Sequence, residues 1–243
     1  MRWDKITEKQ NPVSEKIDQK STQEILEIIN KADTGVADAV AEALPDIQRF
    51  IDALIVRFQH GGKLFYIGSG TSGRLGILDA AECPPTYRTD PEMVQGIIAG
   101  GYEALVRSIE GAEDIPDDGA KAVLDYGVTE KDVVLGITAS CSTPFVLASL
   151  EKAKKINALT GLLICNEPIE LPYVDHLLSI IVGPEVITGS TRMKAGTATK
   201  LVLNMITTTL MIKLNKTYGN LMVDLKASNK KLWDRGTRII VHL

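Results

Sequence analysis

Glycines and hydroxyl side chains follow the first apolar run of the sequence in a pattern that suits an anion. Residues 64–67 lead directly into residues 68–73 (GSGTSG), where a helix is expected to begin. Backbone N–H groups and the positive end of a helix attract negative charge, and glycine allows a ligand to approach the chain closely. More hydroxyls follow the third apolar run, on Thr138, Ser140, Ser142 and Thr143. Two such loops predict a site for one phosphate group on a neutral sugar.

Other interpretations of these residues stay open. Serine and threonine also cap helices without binding a ligand. The spacing of residues 68–73 matches the dinucleotide fingerprint as well, but that fingerprint needs an acidic residue at the end of the second strand. The second apolar run ends in residues 98–101 (IAGG), and Asp90 lies before it. We therefore do not expect a nicotinamide cofactor. A third polar stretch, residues 188–194, could contact a ligand or be a capped helix start with solvated charges.

Strand and helix patterns alternate around these loops. Short apolar runs predict strands at 64–67, 94–99, 133–138, 159–165 and 177–182. Helices are expected between them at 73–81, 102–109, 117–126 and 144–156, and a long one after Gly196 to about Leu214. Continuous apolar strands that alternate with helices predict an α/β fold, a three-layer sandwich with a mainly parallel five-stranded sheet.

The segment before the first strand is predicted to be an arm followed by helices. Residues 1–20 are polar, so we expect an arm and not a core element. Ser21–Glu24 is a capping box that opens a short helix. An apolar stripe at helical spacing then covers residues 36–58, and Pro45 should kink or restart that helix. Without a linker or repeat, residues 21–243 are expected to form a single domain.

Composition narrows the class of protein. Apolar residues make up 44% of the 243 residues, charged residues 24%, and the net charge is −4, as in many soluble globular proteins. This acidity and an aromatic content of 5% argue against nucleic-acid binding. The three cysteines form no CxxC pair, so neither a disulfide framework nor a zinc site is indicated. The N-terminus lacks the apolar stretch of a signal peptide, and the apolar run 201–212 is too short to span a membrane. We expect a cytoplasmic protein without a membrane partner.

Longer motifs resemble a known family. They are residues 66–87 (YIGSGTSGRLGILDAAECPPTY), 98–114 (IAGGYEALVRSIEGAED), 182–205 (VGPEVITGSTRMKAGTATKLVLNM) and 219–232 (GNLMVDLKASNKKL). They resemble sugar isomerase (SIS) domains and, among these, the N-acetylmuramic acid 6-phosphate etherases. The likeness covers nearly all of the chain from Ile17, and DAAECPPTY is its most specific part.

The resemblance implies a cytoplasmic homodimer that uses no metal or organic cofactor. It implies conversion of N-acetylmuramic acid 6-phosphate and water into N-acetylglucosamine 6-phosphate and D-lactate, a step in the recycling of cell-wall sugars. The ether is cleaved by elimination and then hydration, which requires a base for the C2 proton and an acid for the departing oxygen at C3. By matching motifs, Glu82 would protonate the lactate oxygen and Glu113 would abstract the C2 proton. From the residues alone, each could equally be a surface carboxylate.

The resemblance also implies which residues hold the substrate. The 6-phosphate would be bound by Ser69, Gly70, Thr71, Ser72, Ser140, Ser142 and Thr143. Lys194 and Arg192 are weaker candidates for the phosphate or for the lactyl carboxylate. The family usually reads A-S-G-R-T-P after its third strand, whereas residues 139–144 read ASCSTP. The contacts of this second loop are therefore open, although its hydroxyls remain. The further C-terminal helical segment of the family is also expected to be absent.

Two other functions remain open at this point. One is a non-catalytic phosphosugar sensor, like the glucokinase regulatory proteins. The other is an aldose–ketose isomerase, which needs the same C2 proton abstraction but no acid at the C3 oxygen. Retention of both Glu82 and Glu113 favours the lyase.

Overall fold

A parallel five-stranded sheet lies at the centre of the computed structural model, which describes residues 5–224 together with 233, 234, 237 and 241. Its strands are β1 (Leu64–Gly68), β2 (Val94–Ile98), β3 (Val133–Ile137), β4 (Leu159–Ile164) and β5 (His176–Ser179). They are ordered β2-β1-β3-β4-β5, and every neighbouring pair is parallel. The prediction of five strands in a parallel sheet is confirmed.

Helices cover both faces of the sheet. Within the described residues they are α1 (Thr22–Thr34), α2 (Val36–Glu42), α3 (Leu44–Gln59), α4 (Gly70–Tyr87), α5 (Pro116–Asp125), α6 (Pro144–Lys155) and α7 (Lys194–Lys213). Successive residues of a strand point to opposite faces. Accordingly Leu64 and Tyr66 pack with α2, α3, α4 and α7, whereas Phe65 and Ile67 pack with α5 and α6. These two cores confirm the three-layer architecture. No helix in the described part of the chain is long and apolar enough to cross a membrane.

The N-terminal helices follow their sequence signals. Ser21 and Glu24 form the predicted capping box in front of α1. Helix α2 ends at Glu42 and α3 begins at Leu44, so the helix restarts at Pro45 as expected. Proline is tolerated there because the first turn of a helix needs no N–H donor.

The prediction of a helix over residues 102–109 is wrong. Only a single 3-10 turn forms there, at Tyr102–Leu105. Gly100 and Gly101 precede it with φ values of +84° and +69°, which lead the chain away from the sheet. Tyr102 and Val106 then remain 85% and 77% exposed, so no apolar face exists to hold a helix against a core.

The N-terminal arm packs more closely than its polarity suggests. It contains three single 3-10 turns, at Ile6–Glu8, Pro12–Ser14 and Ile17–Gln19. Ile6 and Thr7 are buried. The Ile6 N–H donates to Asn166 Oδ1 over 3.2 Å, and the Gly189 N–H donates to the Thr7 carbonyl over 3.2 Å. The arm is thus irregular, and it is attached to loops at the carboxyl edge of the sheet.

Strand order determines where that edge opens. From β1 the chain moves to β2 on one side, and from β3 it moves to β4 and β5 on the other. Helices leaving β1 and β3 therefore diverge to opposite faces, and a crevice forms between the loops that follow these two strands. These are the two hydroxyl-rich loops of the sequence.

Candidate active site

A cavity of about 270 Å³ lies in this crevice. Many of the predicted site residues line it together: Ser69, Gly70, Thr71, Ser72, Glu113, Ser140, Ser142 and Thr143. The start of α7 and two residues of the N-terminal arm complete the wall. The topology thus unites two loops that are separated by about seventy residues of sequence.

The first loop presents the N-terminus of helix α4 to the cavity. Gly70 begins the helix with a φ of +49°, and Ser69 stands at the cap position without bonding to the helix. Its hydroxyl instead donates to Glu113 Oε2 over 2.8 Å. Since no side chain caps α4 in the described structure, its first N–H groups face the cavity with the positive end of the helix.

Close packing behind this loop explains a glycine. A Cβ on Gly73 would lie 2.6 Å from Ile98 Cγ1 and 2.8 Å from the Gly68 carbonyl oxygen. Helix α4 can therefore begin directly against the ends of β1 and β2 only because residue 73 has no side chain. This close packing fixes the position of the loop at the ends of β1 and β2.

The second loop keeps its hydroxyls together despite its unusual sequence. The hydroxyl oxygens of Ser140 and Ser142 are 2.6 Å apart, and those of Thr138 and Thr143 are 2.9 Å apart. Between them Cys141 has a φ of +54°, in the left-handed region that favours glycine. Its side chain packs against the core on the α5–α6 face, and this burial raises the pKa of its thiol. The loop therefore offers hydroxyl groups but no positive charge of its own.

Hydrogen bonds from Ser69 and Arg74 position Glu113 and the segment that carries it. The carboxylate is exposed to solvent on a 3-10 turn, Ala112–Asp114, and accepts the Ser69 hydrogen bond. The segment before this turn is tied to α4 by Arg74. That guanidinium donates to the carbonyls of Leu105 over 3.1 Å and Arg107 over 3.0 Å. The otherwise irregular segment thus carries Glu113 to the rim of the cavity.

Glu82 is not brought to this cavity within one chain. It is exposed on α4, outside the set of lining residues, and follows Gly70 by twelve positions. A rise of 1.5 Å per residue places it about 18 Å along the helix from the loop. The expected pairing of Glu82 with Glu113 in one cleft is therefore not found in the single chain.

Lys194 also lies elsewhere. It is 6% exposed, its ammonium donates to the Val182 carbonyl, and burial lowers its pKa. The backbone N–H groups of Lys194 and Ala195 donate to the Glu185 carboxylate over 3.0 and 2.9 Å. This carboxylate caps α7, and Lys194 is buried and not solvated, whereas Gly189 and Thr191 of the same stretch line the cavity. Arg192 is exposed and outside the cavity wall as well.

Sequence comparisons identify relatives of this scaffold. The profile of the glucokinase regulatory protein N-terminal SIS domain matches residues 46–154. N-acetylmuramic acid 6-phosphate etherase from Clostridium acetobutylicum is 54% identical over 241 residues, 98% of this chain and 80% of that protein. N-acetylmuramic acid 6-phosphate etherase 1 from Vibrio cholerae serotype O1 is 50% identical over 97% of this chain and 79% of its own length. The chain belongs to the N-acetylmuramic acid 6-phosphate etherase family.

Solved structures share the fold of this etherase-family chain at low sequence identity. The protein c3406 of E. coli CFT073 superposes with a TM-score of 0.58 at 19% identity, covering 83% of this chain and 97% of that one. A phosphoheptose isomerase from Francisella tularensis gives a TM-score of 0.55 at 16% identity, covering 82% of this chain and all of its own. The two-loop crevice therefore lies on a sheet architecture that these proteins have in common.

Sequence reasoning missed several residues of the etherase-family cavity. They are Lys5, Glu8, Asp114, Thr138 and Thr199. Thr138 is one of the loop hydroxyls but is not among the residues that the resemblance assigns to the phosphate. Thr191 also lines the cavity and belongs to the polar stretch 188–194, for which the sequence leaves contact with a ligand open. Lys5 and Glu8 carry no local signal, because they reach the cavity from the N-terminal arm. The Lys5 ammonium donates to the Ser140 carbonyl, 135 residues further along the chain.

Metal-binding side chains do not cluster in the described part of the structure. No group of three or more histidine, cysteine, aspartate or glutamate residues is placed there to hold an ion. The polar groups of the cavity are instead hydroxyls, backbone N–H groups, carboxylates and one ammonium.

Proposed function

We infer that this protein is a carbon–oxygen lyase that cleaves the D-lactyl ether of N-acetylmuramic acid 6-phosphate. The products are N-acetylglucosamine 6-phosphate and D-lactate, and the reaction serves the recycling of cell-wall sugars. Membership of the etherase family supports this function, and one structural observation carries it. A carboxylate, Glu113, is held at the mouth of a cavity formed by two hydroxyl loops and a helix N-terminus.

The loops provide for the phosphate. The uncapped N–H groups of α4 and the hydroxyls of Thr71 and Ser72 lie on one side, and those of Ser140, Ser142 and Thr143 on the other. An anion there gains charge-assisted hydrogen bonds without a large basic patch. We assign the 6-phosphate to this position, which leaves the sugar carbons pointing toward the rim.

Glu113 is assigned the role of base. In the ring-opened sugar, the C2 proton is acidic because it is next to the C1 aldehyde. The Glu113 carboxylate removes this proton, and the electron pair of the C2–H bond forms a C2–C3 double bond as the C3–O bond breaks. Lactate departs with a proton on its oxygen. Water then adds to the double bond: its oxygen bonds to C3, Glu113 returns its proton to C2, and the proton lost by the water restores the acid. Ser69 keeps the Glu113 carboxylate directed at the cavity.

Glu82 is assigned the role of acid, contributed by a second copy of the chain. The proton for the lactate oxygen must come from a group within hydrogen-bond reach. Glu82 of the same chain is about 18 Å from the phosphate loop along α4. It is exposed, and Leu78, one turn before it, is 45% exposed. Covering this face with another copy would bury the leucine and carry Glu82 to a neighbouring cavity, so we propose a homodimer with shared sites.

We also place the protein in the cytoplasm. Its phosphorylated substrate is an intracellular type of metabolite, and Cys83, Cys141 and Cys165 are free thiols.

The decisive experiment is to supply N-acetylmuramic acid 6-phosphate to the purified protein and to assay D-lactate. Release of lactate and N-acetylglucosamine 6-phosphate is expected. Tight binding of the sugar phosphate without release would instead identify a sensor, a function suggested by the match to the glucokinase regulatory domain. Formation of a ketose phosphate would identify an isomerase.

Two variants separate the catalytic roles. Glu113→Gln is expected to lose both lactate release and exchange of the C2 hydrogen in heavy water. Glu82→Gln is expected to lose lactate release while retaining measurable exchange, because its base is intact. Equal loss of exchange in both variants would contradict the assignment of base and acid.

A further inference from the structure

The charge of the cavity is unbalanced for its proposed ligand. Three carboxylates line it, on Glu8, Glu113 and Asp114. Among the described lining residues, Lys5 is the one with a cationic side chain. A phosphate dianion beside three carboxylates requires a compensating positive charge, because like charges in a confined site repel. Hydroxyls and helix N-termini supply only partial charges.

Two other basic residues near the site are already engaged, and Arg192 is exposed and outside the cavity wall. The Lys194 ammonium is buried against the Val182 carbonyl. The Arg74 guanidinium is occupied by the carbonyls of Leu105 and Arg107. The second loop, residues 139–144 (ASCSTP), contains no basic side chain. The cation must therefore come from outside the loops.

The N-terminal arm delivers such a cation to the second loop. Lys5 donates from its ammonium to the carbonyl of Ser140, whose hydroxyl lies 2.6 Å from that of Ser142. Its neighbours Ile6 and Thr7 are buried, and their backbones are hydrogen-bonded to Asn166 and Gly189. An ammonium has three donors, so Lys5 can keep the Ser140 bond and still donate to an anion between the loops.

We propose that Lys5 is a phosphate ligand and that the N-terminal arm is part of the substrate site. The arm supplies the full positive charge that the loop over residues 139–144 lacks. Identification of the ligand as a sugar phosphate rests on the proposed function. The binding of a phosphate group by Lys5 does not require turnover and can be tested separately.

The test compares Lys5→Met with Lys9→Met, a control on the same arm whose side chain is exposed and outside the cavity wall. Binding of inorganic phosphate is measured by titration calorimetry at low ionic strength. Loss of one charge-assisted contact is expected to weaken binding about 10-fold in Lys5→Met. Lys9→Met is expected to match the wild type. Lys5→Arg keeps the charge and should retain most of the affinity. The proposal is wrong if Lys5→Met binds phosphate as the wild type does, or if Lys5→Arg loses as much as Lys5→Met.

Steady-state kinetics and D-lactate binding distinguish a phosphate ligand from a ligand of the lactyl carboxylate. Lys5→Met should raise KM for the sugar phosphate about 10-fold with a much smaller change in kcat. D-lactate binding should be equal in wild type and Lys5→Met; a selective loss of lactate binding would assign Lys5 to the lactyl carboxylate and overturn the phosphate assignment. Lactate release with an unchanged KM in Lys5→Met would refute the role of Lys5 in phosphate binding but not the lyase function. Phosphate binding that depends on Lys5, in a protein that releases no lactate, would refute the lyase function but not the role of Lys5 in phosphate binding.

Discussion

A mixture of Glu82→Gln and Glu113→Gln chains should regain activity that each variant lacks. Within one chain Glu82 is about 18 Å along α4 from the phosphate loop. An extended glutamate side chain reaches about 5 Å, and the substrate spans about 8 Å from phosphorus to its C3 oxygen. Even with both fully extended along α4, roughly 5 Å would remain, whereas a proton donor must approach to about 3 Å. If Glu82 is the acid, as proposed, a second copy must therefore supply it.

The expected recovery follows from symmetry. Random pairing of the two variants makes half of all dimers mixed. In a mixed dimer with shared sites, one site carries both substitutions and the other carries neither. Half of the sites in half of the dimers are then intact, so lactate release should reach about one quarter of the wild-type rate. The two variants are unfolded and refolded together, and D-lactate is assayed against each variant refolded alone.

A matched control uses the double variant Glu82→Gln/Glu113→Gln mixed with wild type. Shared sites leave only wild-type dimers active, about one quarter of the total, whereas sites within single chains would leave about one half. Failure of the two single variants to complement, together with one-half activity in the control, would refute the shared site.

Three further outcomes test other parts of the structure. Gly119→Ala would place a Cβ 2.0 Å from the Phe145 carbonyl oxygen, where α5 meets α6, and should lower the free energy of unfolding by about 1–3 kcal/mol in urea titrations. Gly35→Ala, with nothing within 4 Å of its Cβ, is the control and should gain up to about 1 kcal/mol; equal stability of both variants would contradict the close helix contact. Burial raises the pKa of Asp79 above its ordinary 3.8, so the native state holds its proton more tightly and the wild type loses stability as pH rises through this range. Asp79→Asn should therefore gain stability relative to wild type from below pH 3.8 to neutrality, and a constant difference across that range would exclude the effect. A thiol reagent at neutral pH should modify Cys141 alone in the native protein, because burial raises the pKa of the other two thiols to about 12; modification of all three would show that those two are accessible.

The sheet was predictable because its three inner strands, β1, β3 and β4, are buried on both faces. Such strands are written as continuous apolar runs, and all five were found within a few residues of their bounds. The two hydroxyl-rich loops were predictable for the same reason, since their position follows from the strand ends. The segment 102–109 was not, because two glycines with positive φ redirect a sequence that otherwise has helical spacing.

The contacts of individual side chains were harder to predict than the helices and strands. A lysine at a helix start reads the same whether it faces a ligand or, as Lys194 does, a buried carbonyl. The motif around Glu82 suggested the proposed acid, but it carries no information on which copy of the chain would hold the site. Lys5 has no signal in its own surroundings, because the groups that it meets come more than a hundred residues later.

The attachment of the arm affects the order in which parts of the protein fold. Residues 5–8 are synthesised before their partners, which lie at Ser140, Asn166 and Gly189. The sheet, the loops and α7 must fold before residues 5–8 have a surface to pack against. Contacts between distant parts of a chain form late. We therefore expect residues 5–8 to complete the cavity wall after the sheet and α7 have folded.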